Sequence, residues 1–230
     1  MKTHPHDPSR ALTWVVVLVF ALGMAWVEAA CVFYIRTLVD RIEPYQALPL
    51  PDSAVLGSAE LVRELATLVM LGTTGWLAGT TWRSRLAFAT IAFGFWDIFY
   101  YVFLRVMAPW PQSILDWDIL FLLPLPWWGP VLAPVSIALL MIAGGTLVVS
   151  RDAPDRPCWP SRLALSICFI GTGLALYVFM GDSIRVAGQG IGALRSLLPV
   201  SFNWPLFLVA WILMATPVVE LAVRRPAAQE

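Results

Sequence analysis

Long apolar stretches alternate with short polar segments along the whole chain, and six of the stretches are long enough to form membrane-spanning helices. A helix needs about 20 mainly apolar residues to cross the hydrocarbon core of a bilayer. We therefore predict an all-α, polytopic transmembrane helical bundle, a single integral membrane domain over residues 1–230, with spans at 11–35, 61–78, 86–107, 131–149, 162–180 and 204–223. Small residues let such helices approach closely, a role that we predict for Gly144, Gly145, Gly171 and Gly173.

The stretch between the third and fourth predicted spans has a different character. Residues 108–130 have an apolar run at 119–123 that is too short to cross a bilayer. They also contain several prolines and four tryptophans, Trp110, Trp117, Trp127 and Trp128. Tryptophan concentrates at the membrane–water boundary, and proline interrupts helices. We therefore predict an interfacial or re-entrant segment here rather than a further span.

The composition supports a protein that lies almost entirely within the membrane. Hydrophobic residues make up 59% of the chain and charged residues 13%, about half of the ~25% that is typical of soluble domains. Lysine plus arginine equals aspartate plus glutamate, so no excess of charge points to nucleic acid as a partner. Six spans leave little room for a soluble catalytic domain, and a functional site is expected within or just above the bilayer.

Cysteine and histidine offer no cofactor site. The three cysteines, Cys31, Cys158 and Cys168, have no CxxC spacing, which argues against a disulfide framework or a thiolate metal site. His4 and His6 lie in the polar N-terminal tail, away from the predicted spans. P-loop, GxGxxG, GxSxG and HExxH motifs are missing from the sequence. We therefore predict no metal and no cofactor.

The distribution of positive charge predicts the orientation of the bundle. With six spans, the side that holds both termini carries nine basic residues, Lys2, Arg10, Arg83, Arg85, Arg151, Arg156, Arg162, Arg224 and Arg225. The other side carries six, Arg36, Arg41, Arg63, Arg105, Arg185 and Arg195. Because basic residues collect on the cytoplasmic side, we predict cytoplasmic termini. The first apolar run is interpreted as a retained helix rather than a signal peptide.

Two carboxyl residues lie inside predicted spans. Glu28 in the first span and Asp97 in the third each precede an arginine by eight residues, Arg36 and Arg105 respectively. Eight residues of α-helix rise about 12 Å, so both carboxyls should lie at a similar depth, about two turns below the outer surface. An ionisable group inside a membrane costs about 2.5 to 3.5 kcal/mol to insert, which makes each carboxyl a functional candidate.

Further polar and aromatic residues are predicted to gather around these two carboxyls. Glu60 and Glu64 share a face of the second helix, and Asp97, Tyr101 and Arg105 follow one another at four-residue spacing on the third. The candidate catalytic residues are Glu28, Asp97, Glu64 and Tyr101. The candidate substrate-binding residues are Trp26, Trp96, Tyr100, Arg36, Arg63, Arg105, Asp118 and Asn203.

A neighbouring Glu28 and Asp97 would be expected to hold one proton between them, because burial and a like charge both disfavour two ionised carboxylates. One group would then suit general acid catalysis and the other general base catalysis. A protonated carboxyl in an aromatic-walled cavity could protonate an alkene or epoxide, and ring faces stabilise cations. This favours a membrane-embedded enzyme or binder for a lipid or isoprenoid, with chemistry of the isomerase, cyclase or hydrolase type.

Other functions are open on sequence alone. The same carboxyls could relay protons in a small proton-coupled transporter. They could also pair with Arg36, Arg63 or Arg105 to fix helix packing, as in an accessory subunit of a membrane complex. A divalent cation is disfavoured by the nearby arginines. The expected partners are membrane lipids, a lipid-soluble substrate, and a second copy of the chain or another subunit of a membrane complex.

Several stretches resemble an uncharacterised family of bacterial polytopic integral membrane proteins. They lie within roughly the first 145 residues, at 26–30, 34–36, 63–71, 96–101, 117–118 and 126–134. The resemblance implies a similar multi-span helical fold and carries no activity. With it, we expect a multi-pass protein of the bacterial cytoplasmic (inner) membrane.

Overall fold

The computed structural model describes residues 8–47, 54–152 and 157–224. Lys2, His4, His6, Arg156 and Arg225 lie outside the described residues. Within the described ranges, seven helices and two strands follow one another as α1 (Pro8–Leu38), α2 (Ala54–Ala78), α3 (Trp82–Met107), β1 (Trp117–Phe121), β2 (Trp127–Pro130), α4 (Leu132–Arg151), α5 (Arg162–Ala187), α6 (Ile191–Arg195) and α7 (Trp204–Val223).

Five of the helices are long and apolar enough to cross a membrane, which confirms the all-α, multi-span fold. The five candidate spans are Arg10–Leu38, Trp82–Met107, Leu132–Arg151, Arg162–Ala187 and Trp204–Val223. Large apolar side chains are exposed on their outer faces, for example Val16 on α1 and Phe169 on α5. An apolar outer surface of this extent is expected where helices face lipid.

The α2 helix corresponds to the predicted second span but is not one of these five candidate spans. Glu60, Arg63, Glu64 and Thr67 recur on it at three- and four-residue spacing, so they share one face, which points into the bundle. The opposite face is apolar, with 67% of Val62 exposed. Charged residues in membrane helices normally face the bundle interior. The charged face of α2 thus explains why this helix is less apolar than the five candidate spans.

The segment at 108–130 contains an antiparallel β-hairpin, which the sequence did not predict. Asp118 of β1 lies opposite Gly129 of β2, and Ile119 lies opposite Trp128. Pro124 and Pro126 fall in the connection between the strands, where they exclude a helix because proline has no backbone N–H. The predicted interfacial or re-entrant segment is therefore built as a short two-stranded ribbon.

The helices pack around α3, on which α1, α2 and α4 all lie, while α7 packs on α4 and α5. Glycines permit the closest approaches. A Cβ atom on Gly145 or Gly171 would lie 2.7 Å from a backbone carbonyl oxygen of the facing helix, which confirms both as packing positions. A Cβ atom on Gly144 would lie 3.2 Å from a side chain, and the space around Gly173 is open, so the prediction for Gly173 is wrong.

The start of α1 and the end of α7 lie at the same end of the bundle, which we call the terminal end. There, Arg10 Nη1 donates to the Asp152 carbonyl oxygen at 2.7 Å, and the Ser161 amide donates to the Glu220 carboxylate at 3.0 Å. The β-hairpin lies at the opposite end, the hairpin end, where the Ser183 hydroxyl donates to a hairpin carbonyl oxygen at 2.6 Å. Consecutive long helices therefore run in alternating directions.

Asp152 joins three segments at the terminal end. Its carboxylate accepts hydrogen bonds from the Thr81 hydroxyl at 2.7 Å, from Arg83 Nε at 2.6 Å and from the Cys158 amide at 2.9 Å. Burial acts to raise the pKa of Asp152, but the hydrogen bonds outweigh burial and hold the pKa below its usual value. The residue after α4 thereby anchors both the α2–α3 connection and the loop before α5.

Candidate functional site

A cavity of about 620 Å³ lies at the hairpin end of the bundle, and we call it the chamber. Residues of α1, α2 and α3 form its walls, and the hairpin and α6 complete it. Its volume falls within the range of about 300 to 1,000 Å³ that is usual for small-molecule sites. The chamber is therefore large enough for a sizeable organic ligand.

The chamber brings together eight of the twelve residues that the sequence singled out. These eight are Glu28, Arg36, Arg63, Glu64, Trp96, Asp97, Tyr100 and Tyr101. Four of them follow one another within less than two turns of α3, and the others come from α1 and α2, which both pack on α3. The packing of three helices thus places their polar faces around one space.

Glu28 is engaged with α2 rather than with Asp97. Its carboxylate forms an ion pair with Arg63 and accepts a hydrogen bond from the Thr67 hydroxyl at 3.2 Å. Arg63 also pairs with Glu60 at 2.7 Å. Glu28 therefore has a cation and a hydroxyl as its partners, where the sequence had suggested a second carboxyl.

Asp97 has a different environment. It is 9% exposed, and it makes no hydrogen bond and no ion pair within the described part of the chain. The adjacent Trp96 is 6% exposed, and its indole Nε1 is also buried without a hydrogen-bond partner among the described residues. Buried polar groups are usually hydrogen-bonded, because an unmade bond costs free energy. The chamber wall therefore holds a carboxyl and an N–H donor with unused bonding capacity.

Asp118 lies behind the chamber wall rather than on its surface. The residue is 1% exposed, and its Oδ1 accepts from Arg36 Nη2 at 2.8 Å and from the Ile119 amide at 2.9 Å. The Arg36 guanidinium also lies over the Trp110 ring, 4.3 Å from its centroid. Asp118, which we predicted to bind substrate, is thus placed to orient Arg36 from behind the chamber wall.

Glu64 connects α2 to the hairpin. The Leu122 amide donates to both oxygens of the Glu64 carboxylate, at 3.0 and 3.1 Å. Leu122 follows β1 directly, so this contact satisfies a backbone N–H that the two-stranded ribbon leaves unpaired. The predicted catalytic residue Glu64 thus lines the chamber and also holds one of its walls in place.

Three predicted site residues lie away from the chamber. Trp26 is 48% exposed, because two residues of α-helix separate it from Glu28 by about 200° around the axis. Arg105 is exposed on α3, since eight residues after Asp97 the helix has turned by about 80° from the original face. The Asn203 side chain accepts from the Leu206 amide at 3.2 Å and thereby caps α7.

Several chamber residues were missed at the level of sequence. Thr67 lies seven residues after Glu60 and three after Glu64, so helical spacing alone could have placed it on the same face. Ile119 of β1 and Ile191 and Leu194 of α6 also line the chamber. They arrive from distant parts of the chain, and no local pattern marks them.

Metal-ligating side chains do not cluster in the described part of the chain, and the comparisons with known proteins yield no family for it. Within residues 8–47, 54–152 and 157–224, no group of three or more His, Cys, Asp and Glu side chains is placed to hold a metal ion. The chain matches no protein-family model, no curated protein and no solved structure. The chemistry of the chamber is what bears on function.

Proposed function

We propose that this membrane protein binds a lipid-soluble molecule in the chamber and acts on it by acid–base chemistry at Asp97. The observation that carries the proposal is the Asp97 carboxyl, which lines the chamber, is nine-tenths buried, and has no hydrogen bond or ion pair within the described part of the chain. Carboxyls that only stabilise a bundle are normally paired, as Glu28 and Asp118 are. An unpaired buried carboxyl costs stability, and a functional role accounts for that cost.

The apolar part of the chamber supports a lipid-soluble ligand. Val32 and Ile35 of α1, and Val39 directly after its end, line one side of the chamber. The α1 and α2 helices pack mainly on α3 rather than on each other, which favours entry from the bilayer between them. A ligand that partitions into the membrane would reach this space without crossing water.

The proposed chemistry uses Asp97 as a proton carrier. Its carboxyl would donate a proton to a carbon–carbon double bond of the ligand, and the resulting carboxylate would remove a proton from an adjacent carbon. This exchange leaves an isomer of the ligand and returns Asp97 to its protonated form. The aromatic rings of Trp96, Tyr100 and Tyr101 line the same space and would stabilise the intermediate cation.

We further propose that the terminal end is cytoplasmic and that the chamber lies in the outer leaflet of a bacterial cytoplasmic membrane. Of the six basic residues assigned to the outer side, four line the chamber, namely Arg36, Arg41, Arg63 and Arg195. Because basic residues collect on the cytoplasmic side, the excess of basic residues on the terminal side supports this orientation. We also propose that α2 crosses the membrane as a sixth span.

Two alternatives receive less support from the geometry. A proton-coupled transporter needs a path to both faces of the membrane, but Val17, Ala21 and Ile91 belong to a buried core between the chamber and the terminal end. An accessory subunit needs carboxyls that serve only packing, and Asp97 is not paired in that way. Either function would have to account for the unpaired carboxyl.

The experiment that tests the proposal is identification of lipids that co-purify with the protein. Wild type, Asp97→Asn and the control Glu220→Gln, which lies at the terminal end, are purified in the same detergent and their organic extracts compared by mass spectrometry. We expect one lipid-soluble species to be enriched with all three proteins. Its isomer should accompany it in wild type and in the control, but not in Asp97→Asn, which cannot transfer the proton.

Two results would overturn the proposal. The first is an extract in which no species is enriched over that of an unrelated membrane protein. The second is an unchanged ratio of isomers in Asp97→Asn. Proton uptake by proteoliposomes that requires Asp97, without any bound lipid, would instead support the transporter.

A further inference from the structure

We infer that the ligand carries an uncharged hydroxyl as its polar head, held between the indole N–H of Trp96 and the carboxyl of Asp97. This inference rests on the proposed function and narrows its substrate to one class, a long-chain or isoprenoid alcohol. The inference is based on a comparison of the polar groups in the chamber that already have partners with those that do not.

The arginines of the chamber all have partners. Arg36 binds Asp118, Arg63 binds Glu28 and Glu60, and Arg41 donates to backbone carbonyl oxygens at 2.8 and 3.3 Å. Arg195 also makes an interaction. A phosphate or carboxylate head needs a cation or several N–H donors, and recruiting one of these arginines would break an existing pair. An anionic head is therefore disfavoured.

Among the chamber residues that the structure describes, the buried polar atoms with neither a hydrogen bond nor an ion pair are Trp96 Nε1 and Asp97 Oδ2. Trp96 Nε1–H can only donate, and Asp97 can accept from the ligand in either protonation state. Both residues line the chamber and are more than nine-tenths buried. A hydroxyl donates one hydrogen bond and accepts another, so it satisfies both residues together. An ammonium head would satisfy Asp97 but leave the indole N–H without an acceptor.

The apolar lining indicates where the tail of the alcohol lies. From Glu28 to its end at Leu38, α1 rises about 15 Å toward the hairpin end, and Val32, Ile35 and the following Val39 line the chamber along this rise. Ile191 and Leu194 of α6 continue the apolar surface. With its head at Asp97, the alcohol would extend its chain along this row of side chains.

A series of probes that share one alkyl chain tests the head group. The probes are a fatty alcohol, the alkane, the alkylammonium and the alkyl phosphate of equal chain length, and their binding to purified wild type in lipid nanodiscs is measured by native mass spectrometry. We expect the alcohol to bind at least about tenfold more tightly than each of the other three probes. Roughly two net hydrogen bonds to the head group would give a difference in affinity of this size. This comparison uses wild-type protein and does not depend on any variant folding.

Variants then locate the head. Trp96→Phe and Asp97→Leu should each weaken binding of the alcohol by about three- to tenfold, whereas Asp97→Asn, which still donates and accepts, should weaken it by less than about threefold. Trp26→Phe is the matched control, because Trp26 lies outside the chamber, and it should leave binding unchanged. Equal losses in Trp26→Phe and Trp96→Phe would overturn the assignment.

The outcomes separate this inference from the proposed function. Preferred binding of the alkylammonium or the alkyl phosphate would overturn the hydroxyl head and leave a lipid-binding chamber. Equal binding of alkane and alcohol would do the same. Failure of all four probes to bind, the alkane included, would overturn the proposed function together with this inference.

Discussion

Arg36 Nη2 and Asp118 Oδ1 lie 2.8 Å apart, although 82 residues of sequence separate them. The pair joins the end of α1 to the first strand of the hairpin. Its side chains are 13% and 1% exposed, so both charges are largely removed from water. The position of the hairpin over the chamber therefore depends on a buried ion pair.

Removing one member of this pair should destabilise the protein strongly. Asp118→Asn or Arg36→Gln leaves the other residue buried with reduced compensation, which costs about 3 to 5 kcal/mol when one partner of such a pair is lost. The Arg185–Asp182 pair offers a control, because Arg185 is 75% exposed and Arg185→Gln should cost less than about 1 kcal/mol. Thermal unfolding in detergent, followed by tryptophan fluorescence, measures the loss of stability in the buried-pair variants and in the control. Equal decreases in Tm for the buried and exposed pairs would contradict this prediction.

Glu64 should protect the Leu122 amide from hydrogen exchange. Glu64→Leu removes both acceptors of that N–H, so we expect faster exchange in the hairpin and a loss of about 1 to 3 kcal/mol in stability. Glu64→Gln keeps one acceptor oxygen and should retain most of the protection. Glu60→Gln, on the same face of α2 but bonded to Arg63, serves as the control. Hydrogen exchange followed by mass spectrometry of the hairpin peptide gives the answer, and unchanged exchange in Glu64→Leu would refute the contact.

Stability should depend on pH through Asp152. The pKa of Asp152 is lower in the folded protein than its usual value, so its contribution is fully present above the usual pKa, near 4, and is lost as the pH falls through the lower folded value. Wild type should therefore exceed Asp152→Asn in stability by about 2 kcal/mol at neutral pH, and the difference should shrink below about pH 4. Thermal unfolding of the two proteins across this range tests the sign. A difference that stays constant with pH would show that the carboxylate charge is irrelevant.

Cysteine labelling should show that both α2 and α5 cross the membrane. In a background without Cys31, Cys158 and Cys168, the exposed positions Thr80, Ser150 and Gln189 are replaced singly by cysteine. An impermeant maleimide applied to intact cells should label Gln189→Cys, while Thr80→Cys and Ser150→Cys should react only after the membrane is opened. Labelling of Thr80→Cys together with Gln189→Cys would mean that α2 does not span.

Most of the helices could be predicted because lipid imposes a simple rule on them. A stretch such as Leu132–Arg151 must be apolar on its outer faces and satisfy its own backbone, so length and hydropathy identify it. The hairpin could not be found in this way. Its strands have only five and four residues, and the prolines between them indicate a break in helix without saying what replaces it.

The sequence predicted the depth of the candidate site along the helices, but not which side chains pair within it. Counting residues along α1 and α3 indicated that Glu28 and Asp97 lie at similar heights, and both do line one chamber. Which groups pair there depends on the rotation of each helix about its axis. That rotation places Arg63 beside Glu28 and turns Trp26 outward, and among the described residues it leaves Asp97 without a hydrogen bond or ion pair. It is set by packing between helices rather than by spacing along one of them.

The contacts of the hairpin also determine when, during synthesis, the chamber can form. Its two anchors, Arg36 and Glu64, belong to helices that leave the ribosome before β1 does. A nascent chain that ends after α3 would therefore carry Arg36 and Glu64 without the hairpin partners that they have in the folded protein. The chamber would be completed late in synthesis, when the hairpin docks, and earlier intermediates would lack one of its walls.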